Sequence, residues 1–162
     1  NLRMIRAQTD DAATDDAGSI RKVEVFAWVL VVVWAAVIFA MSAKTAHEFE
    51  MGVGIVPQIK MWLTDVVSGL VGKRVDVSPI GHFTEYLVFG GLLVNALRMR
   101  LAPKKAALGA VGVVALYAIT DEIHQIFVPG RACDPADWAV DVAAAIIVAI
   151  IGWLLLRRRE VS

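Results

Sequence analysis

His82 and Glu85 stand three residues apart, and Asp121 and His124 repeat that spacing. On a helix, three residues is nearly one turn, so each pair projects from one side. Tyr86 follows the first pair; Glu122 and Gln125 surround the second; Asp137 and Asp141 lie one turn apart further on, with Arg131 between the last two groups. Carboxylates beside imidazoles support several chemistries. An imidazole can move a proton with a carboxylate partner, which makes His82, Glu85 and Glu122 the candidate acid–base residues. The same donor types suit a divalent metal such as zinc, and His82, Glu85, Asp121 and His124 have the spacing for it. The pattern is not His-Glu-x-x-His, no Gly-rich phosphate loop appears, and no nucleophile stands out.

The elements that must position these groups are apolar helices. The chain is 58% hydrophobic, with 16 basic and 16 acidic residues and a mean hydropathy of +0.65. Soluble domains are less apolar than this. A net charge of zero gives no basic field for nucleic acid. The single cysteine, Cys133, excludes an intrachain disulfide and reads as a small loop residue.

Residues 1–20 hold Asp10, Asp11, Asp15 and Asp16 and read as a flexible tail. Residues 21–160 form one transmembrane domain. Val23–Met41 is apolar throughout apart from Glu24 near its start; its length spans about 28 Å, enough for a hydrocarbon core and too long for a signal-peptide core. Pro79 to Leu97, Ala106 to Phe127 and Asp137 to Leu156 are the other three spans. In the connection between the first two, Ile55, Ile59, Trp62, Leu63, Val66, Val67 and Leu70 recur at helical spacing among Lys60, Asp65 and Ser68. That pattern predicts an amphipathic helix, interfacial or packed on the bundle. Gly90 and Gly91 read as close-packing positions. The fold class is thus an all-α membrane protein, a four-helix transmembrane bundle with an interfacial helix in its first connection.

Basic residues orient the bundle. Arg21 and Lys22 precede the first span; Arg98, Arg100, Lys104 and Lys105 fill the second short loop; Arg157, Arg158 and Arg159 follow the last span. The positive-inside rule puts these ends and both termini in the cytoplasm. Lys44, Lys60, Lys73 and Arg74 run against the rule. Every polar group named above then falls in the outer part of the bundle, although only basic residues were used to orient it. A charged side chain at the bilayer centre costs roughly 2.5–3.5 kcal/mol, so carboxylates near that depth should face one another, His82, His124 and Arg131 rather than lipid. They outnumber the cations, so either some are protonated or a cation joins them. The plainer readings are interhelical hydrogen bonding for the set, a helix cap for Asp137 and a headgroup anchor for Arg131.

His82-Phe83-Thr84-Glu85-Tyr86, Asp121 through Arg131 with its Val128-Pro129-Gly130 break, then Asp137 and Asp141, resemble the VanZ-like family. Phe39-Ala40-Met41-Ser42-Ala43-Lys44-Thr45-Ala46 is similar to that family's first-helix ending. The resemblance covers about residues 34–152 and departs from the family at Ala144, where glycine is frequent, and at Asp134 and Ala136. It implies a multi-pass protein of the bacterial cytoplasmic membrane, linked to teicoplanin-type resistance. It carries over His82, Glu85, Tyr86, Asp121, Glu122, Gln125, Arg131, Asp137 and Asp141 as ligand-binding positions.

Three functions follow as expectations. The first is binding of a lipid headgroup, cell-wall precursor or glycopeptide in an outward-facing pocket, with the 55–70 segment as a cover. The second is a small membrane enzyme acting on a lipid-linked or phosphorylated substrate through His82, Glu85, Asp121, Glu122 and Arg131. The third is a transporter, for which four helices per chain require a homo-oligomer. The lipid bilayer is a partner in all three, and a divalent metal is a candidate cofactor.

Overall fold

The computed structural model describes residues 2–44, 55–74 and 77–161. Thr45 and Ala46 of the resembling segment lie outside the described residues, as do the side chains of Asp10, Asp11, Asp15, Asp16, Lys60 and Arg159. Five helices, α1 (Leu2–Ser42), α2 (Ile55–Val71), α3 (Ser78–Leu97), α4 (Pro103–Gln125) and α5 (Pro135–Val161), make up the regular structure of the described residues. Four segments are long and apolar enough to cross a bilayer: Gly18–Ser42, Ser78–Leu97, Pro103–Gln125 and Pro135–Arg158. They match the four expected spans within a few residues at each end.

Local chemistry sets the boundaries. Proline opens α4 and α5 and is the second residue of α3. A first helical turn has free N–H groups anyway, so a residue without one costs nothing there. α5 begins two residues before Asp137, because Asp134 caps it: Asp134 Oδ1 accepts a hydrogen bond from the Ala136 amide at 2.8 Å. Capping therefore belongs to Asp134, and Asp137 lies in the first turn. α4 stops at Gln125, two residues short of Phe127. Its end tightens into three-residue bonds (Phe127 N–H to His124 O, 3.0 Å; Val128 N–H to Gln125 O, 3.1 Å) before Gly130 reverses the chain at φ 78°. α1 starts at Leu2, so the backbone of the segment expected as a flexible tail continues the first helix. Extending a formed helix needs no new nucleus, and alanines favour it.

α3, α4 and α5 pack against one another, and α1 lies against α3 with lighter contact to α4. The seams are built from small residues. Ala96, Ala106, Ala110, Ala118, Ala144 and Ala145 are all essentially buried. Lipid supplies no hydrophobic drive between helices, so close backbone approach and van der Waals contact hold them. A Cβ on Gly90 would lie 2.9 Å from Val148 Cγ1 and 3.3 Å from Ala145 Cα, whereas one on Gly91 would meet only Val148 Cγ2 at 3.4 Å. Gly90 is thus the tighter of the two expected close-packing positions. Ala144, the departure from glycine, is buried with its methyl group in the core.

Among the described residues, three side-chain bonds to backbone carbonyls cross between helices. Trp34 Nε1 donates to Glu85 O at 2.9 Å, Tyr117 OH to Ala35 O at 2.6 Å, and Trp138 Nε1 to Ala115 O at 3.2 Å. They fix α1 on α3 and α4, and α5 on α4. Gly90→Val should destabilise the bundle by about 1–3 kcal/mol through overpacking on Val148 and Ala145. Gly112→Ala, where a Cβ meets nothing within 4 Å, should not destabilise it. Thermal unfolding in detergent, followed by size-exclusion chromatography, checks the pair.

Candidate functional site

The up-and-down order brings the C-terminal ends of α1 and α4 to the same end of the bundle as the N-terminal ends of α3 and α5. At that end a cavity of about 140 Å³ is lined by Met41 and Ser42 of α1, His82 and Glu85 of α3, Asp121 and Gln125 of α4, and Arg131 of the following loop. Ile59 and Leu63 of α2 also line it, as do Val77, Ser78 and Gly81 around the start of α3. Ile55, Met61, Trp62, Val66, Leu70 and Val71 of α2 are exposed. At the opposite end, Arg100 makes a two-point contact with Glu24 of α1 (2.7 and 2.6 Å). The polar groups and the basic loop therefore occupy opposite ends of the bundle, as the sequence pattern predicts.

His82, Tyr86, Phe89 and Leu93 share one stripe of α3, and all four are buried. So are Asp121, Glu122 and Gln125 on α4 and Asp141 on α5, the last with no exposed surface. Glu85 and Asp137 are half-buried. His82 is the centre of the arrangement. Its Nδ1 lies 3.3 Å from Asp141 Oδ1 and its Nε2 lies 3.7 Å from Asp137 Oδ2. Asp121 Oδ2 accepts a bond from Gln125 Nε2 at 3.4 Å, and Glu122 Oε2 accepts one from the Asp134 amide at 2.7 Å. The other oxygen of each carboxylate, Asp121 Oδ1 and Glu122 Oε1, is buried without a hydrogen-bond partner, as are both oxygens of Asp141. The Tyr86–Phe89–Tyr117 ring cluster lies one turn deeper, with Phe89 and Tyr117 centroids 5.1 Å apart.

The comparison with known families decides what kind of chain this is. The VanZ/LLP1 family model matches residues 26–157, which run from the first span to the end of the last. The chain belongs to the VanZ/LLP1 family. No curated protein and no solved structure matches it.

The VanZ/LLP1 match covers every residue of the site. It makes the polar end of the bundle part of the family domain rather than an appendage. Within that domain the four metal candidates do not stay together. His124 turns away and packs its ring on Phe39 of α1, with centroids 4.4 Å apart. Among the described residues the donors that do converge are His82, Asp121 and Glu122, with ligand atoms within 4.8 Å of one another. Glu122 thus stands where His124 was expected, because α4 is rotated so that Asp121, Glu122 and Gln125 all face inward.

Two residues of the site went unassigned from the sequence. Ser42 is 4% exposed, lines the cavity and has a buried hydroxyl without a hydrogen-bond partner; its place in the first-helix ending was the available signal. Asp134 supplies both the α5 cap and the amide that holds Glu122. Glu122→Leu should free that amide. A hydrogen bond to a charged acceptor contributes roughly 1.5–3 kcal/mol, so exchange at the Asp134 amide should speed up by about ten- to a hundredfold, read by hydrogen–deuterium exchange.

Proposed function

We propose that this VanZ/LLP1 protein binds the polar headgroup of an envelope lipid, or of a lipid-linked cell-wall precursor, in the cavity at the polar end of its bundle. That end faces outward across the bacterial cytoplasmic membrane, with the basic loop and both termini inside, and α2 lies at the membrane surface over the opening. Binding there alters sensitivity to teicoplanin-type glycopeptides. The observation that carries the reading is the set of buried carboxylate oxygens without hydrogen-bond partners beside an open cavity. Such groups cost several kcal/mol in hydrocarbon unless something satisfies them. Arg131, on the same wall, suits an anionic group.

Size narrows the ligand. A cavity of about 140 Å³ is smaller than sites that enclose a drug-sized molecule, at roughly 300–1,000 Å³. It fits a headgroup with the acyl or prenyl chains left in the bilayer, and it is far too small to enclose a glycopeptide. The basic residues at the opposite end support the orientation through the positive-inside rule.

One observation favours an enzymatic second reading. Asp141 Oδ1 lies 3.3 Å from His82 Nδ1, and a carboxylate on one ring nitrogen is how an imidazole is oriented as a general base. The other nitrogen, 3.7 Å from Asp137 Oδ2, would have to turn from Asp137 to the substrate.

A lipid-linked precursor should bind the wild-type protein in nanodiscs. His82→Ala and Asp121→Asn should each weaken binding by about tenfold or more, a loss of at least roughly 1.4 kcal/mol. Mass spectrometry of the same mixture should find the precursor unchanged; a product that disappears with His82→Ala establishes the enzymatic reading instead. In cells, labelling of the exposed Cys133 by an impermeant reagent from outside, and none of a cysteine placed at residue 102, checks the orientation.

A further inference from the structure

We propose that His82, Asp121 and Glu122 form a site for a divalent cation of the manganese or zinc type, with Asp141 positioning the histidine. Three observations meet here. The first is convergence: one ligand atom from each residue lies within 4.8 Å of the others, although His82 on α3 is 39 residues in sequence from Asp121 on α4. A point between three atoms so spaced is within about 2.8 Å of all of them, and metal–oxygen and metal–nitrogen bonds of about 2.0–2.2 Å are reached by small side-chain rotations.

The second is how each carboxylate is held. Gln125 takes one oxygen of Asp121 and the Asp134 amide takes one oxygen of Glu122, and in each case the second oxygen is buried with no hydrogen-bond partner. Both residues are more than nine-tenths buried. This is the division of labour of a metal ligand: one oxygen fixed by an outer donor, the other presented to the ion.

The third is the imidazole. Nδ1 of His82 faces Asp141 and Nε2 faces Asp137, so whichever nitrogen meets the cation, the other keeps a carboxylate partner that fixes its tautomer. One imidazole with two carboxylates and no thiolate is a borderline-to-hard donor set, which suits manganese or zinc better than copper(I). The cation also supplies the charge that the cluster lacks. Asp121, Glu122, Asp137 and Asp141 crowd around one histidine, and a doubly charged ion offsets carboxylates that otherwise repel one another.

The site stands independently of any headgroup, so the test uses the metal alone. Wild-type protein in nanodiscs of zwitterionic lipid, stripped with chelator, is titrated with Mn²⁺ by electron paramagnetic resonance and with Zn²⁺ by calorimetry. The expected result is one saturable equivalent per chain for at least one of the two ions. Saturating metal should raise the melting temperature by roughly 5 °C or more. Asp121→Asn and Glu122→Gln should abolish the saturable component. Asp141→Asn, acting through His82, should weaken it by about ten- to a hundredfold. Glu24→Gln, at the opposite end of the bundle, should leave it in place. If wild-type protein takes up no more of either metal than protein-free nanodiscs, the proposal fails, whatever the variants do. It fails equally if Glu122→Gln folds, as circular dichroism would show, and binds as the wild type does.

Discussion

Hydrocarbon offers no hydrogen bonds, and that single deprivation organises this protein. A carboxylate on a membrane-crossing helix has to find its partners within the bundle. The polar faces of α3, α4 and α5 consequently turn toward one another at one end, and the helix rotations that bring them together also decide which apolar side chains meet lipid. Ile80, Val88, Leu116, Ile119 and Ile147 are exposed on the outside, while His82, Asp121 and Asp141 are enclosed. The same deprivation explains the crosslinks: in a medium that cannot solvate an indole or a phenol, Trp34, Trp138 and Tyr117 donate to the nearest accessible carbonyls.

Close approach makes this enclosure possible. The seams between α3, α4 and α5 are lined by alanine, with Gly90 at a close approach of α3 to α5. Short side chains let backbones approach, and only then can polar side chains from different helices reach one another. Gly152 does the same further along α5, where a Cβ would come 2.9 Å from Val94 Cγ1. Mechanical and chemical parts of the bundle are thus layered along its axis: a packed alanine section, a ring of Tyr86, Phe89 and Tyr117, and the acidic end above it.

Much of this was legible in the sequence because apolar runs and helical stripes are direct records of burial. The four spans, the buried face of α3 from His82 to Leu93 and the separation of acidic from basic ends all follow from period and charge. What was not legible depended on distances between helices. Spacing alone paired His124 with Asp121, since both lie on one side of α4, but the rotation of α4 sends His124 to Phe39 and brings in Glu122. The cap of α5 was expected at Asp137, but the helix starts two residues earlier and the cap is Asp134; an aspartate's capping chemistry is legible in sequence, and the residue at which the helix opens is not. The helical start of α1 at Leu2 was missed because composition describes what a segment can bury and says nothing of a neighbouring helix that extends into it.

The up-and-down order has an electrical consequence for the acidic end. Each helix carries about half a positive charge at its start and half a negative charge at its finish. Here the starts of α3 and α5 are gathered with the finishes of α1 and α4, so to first order the four backbone contributions cancel. A bundle with parallel helices would surround its carboxylates with amide groups and neutralise them in part through the main chain. This one provides little net counter-charge from its helix ends beyond the Asp134 amide on Glu122, and the balance falls on His82, on Arg131 and on the contents of the cavity.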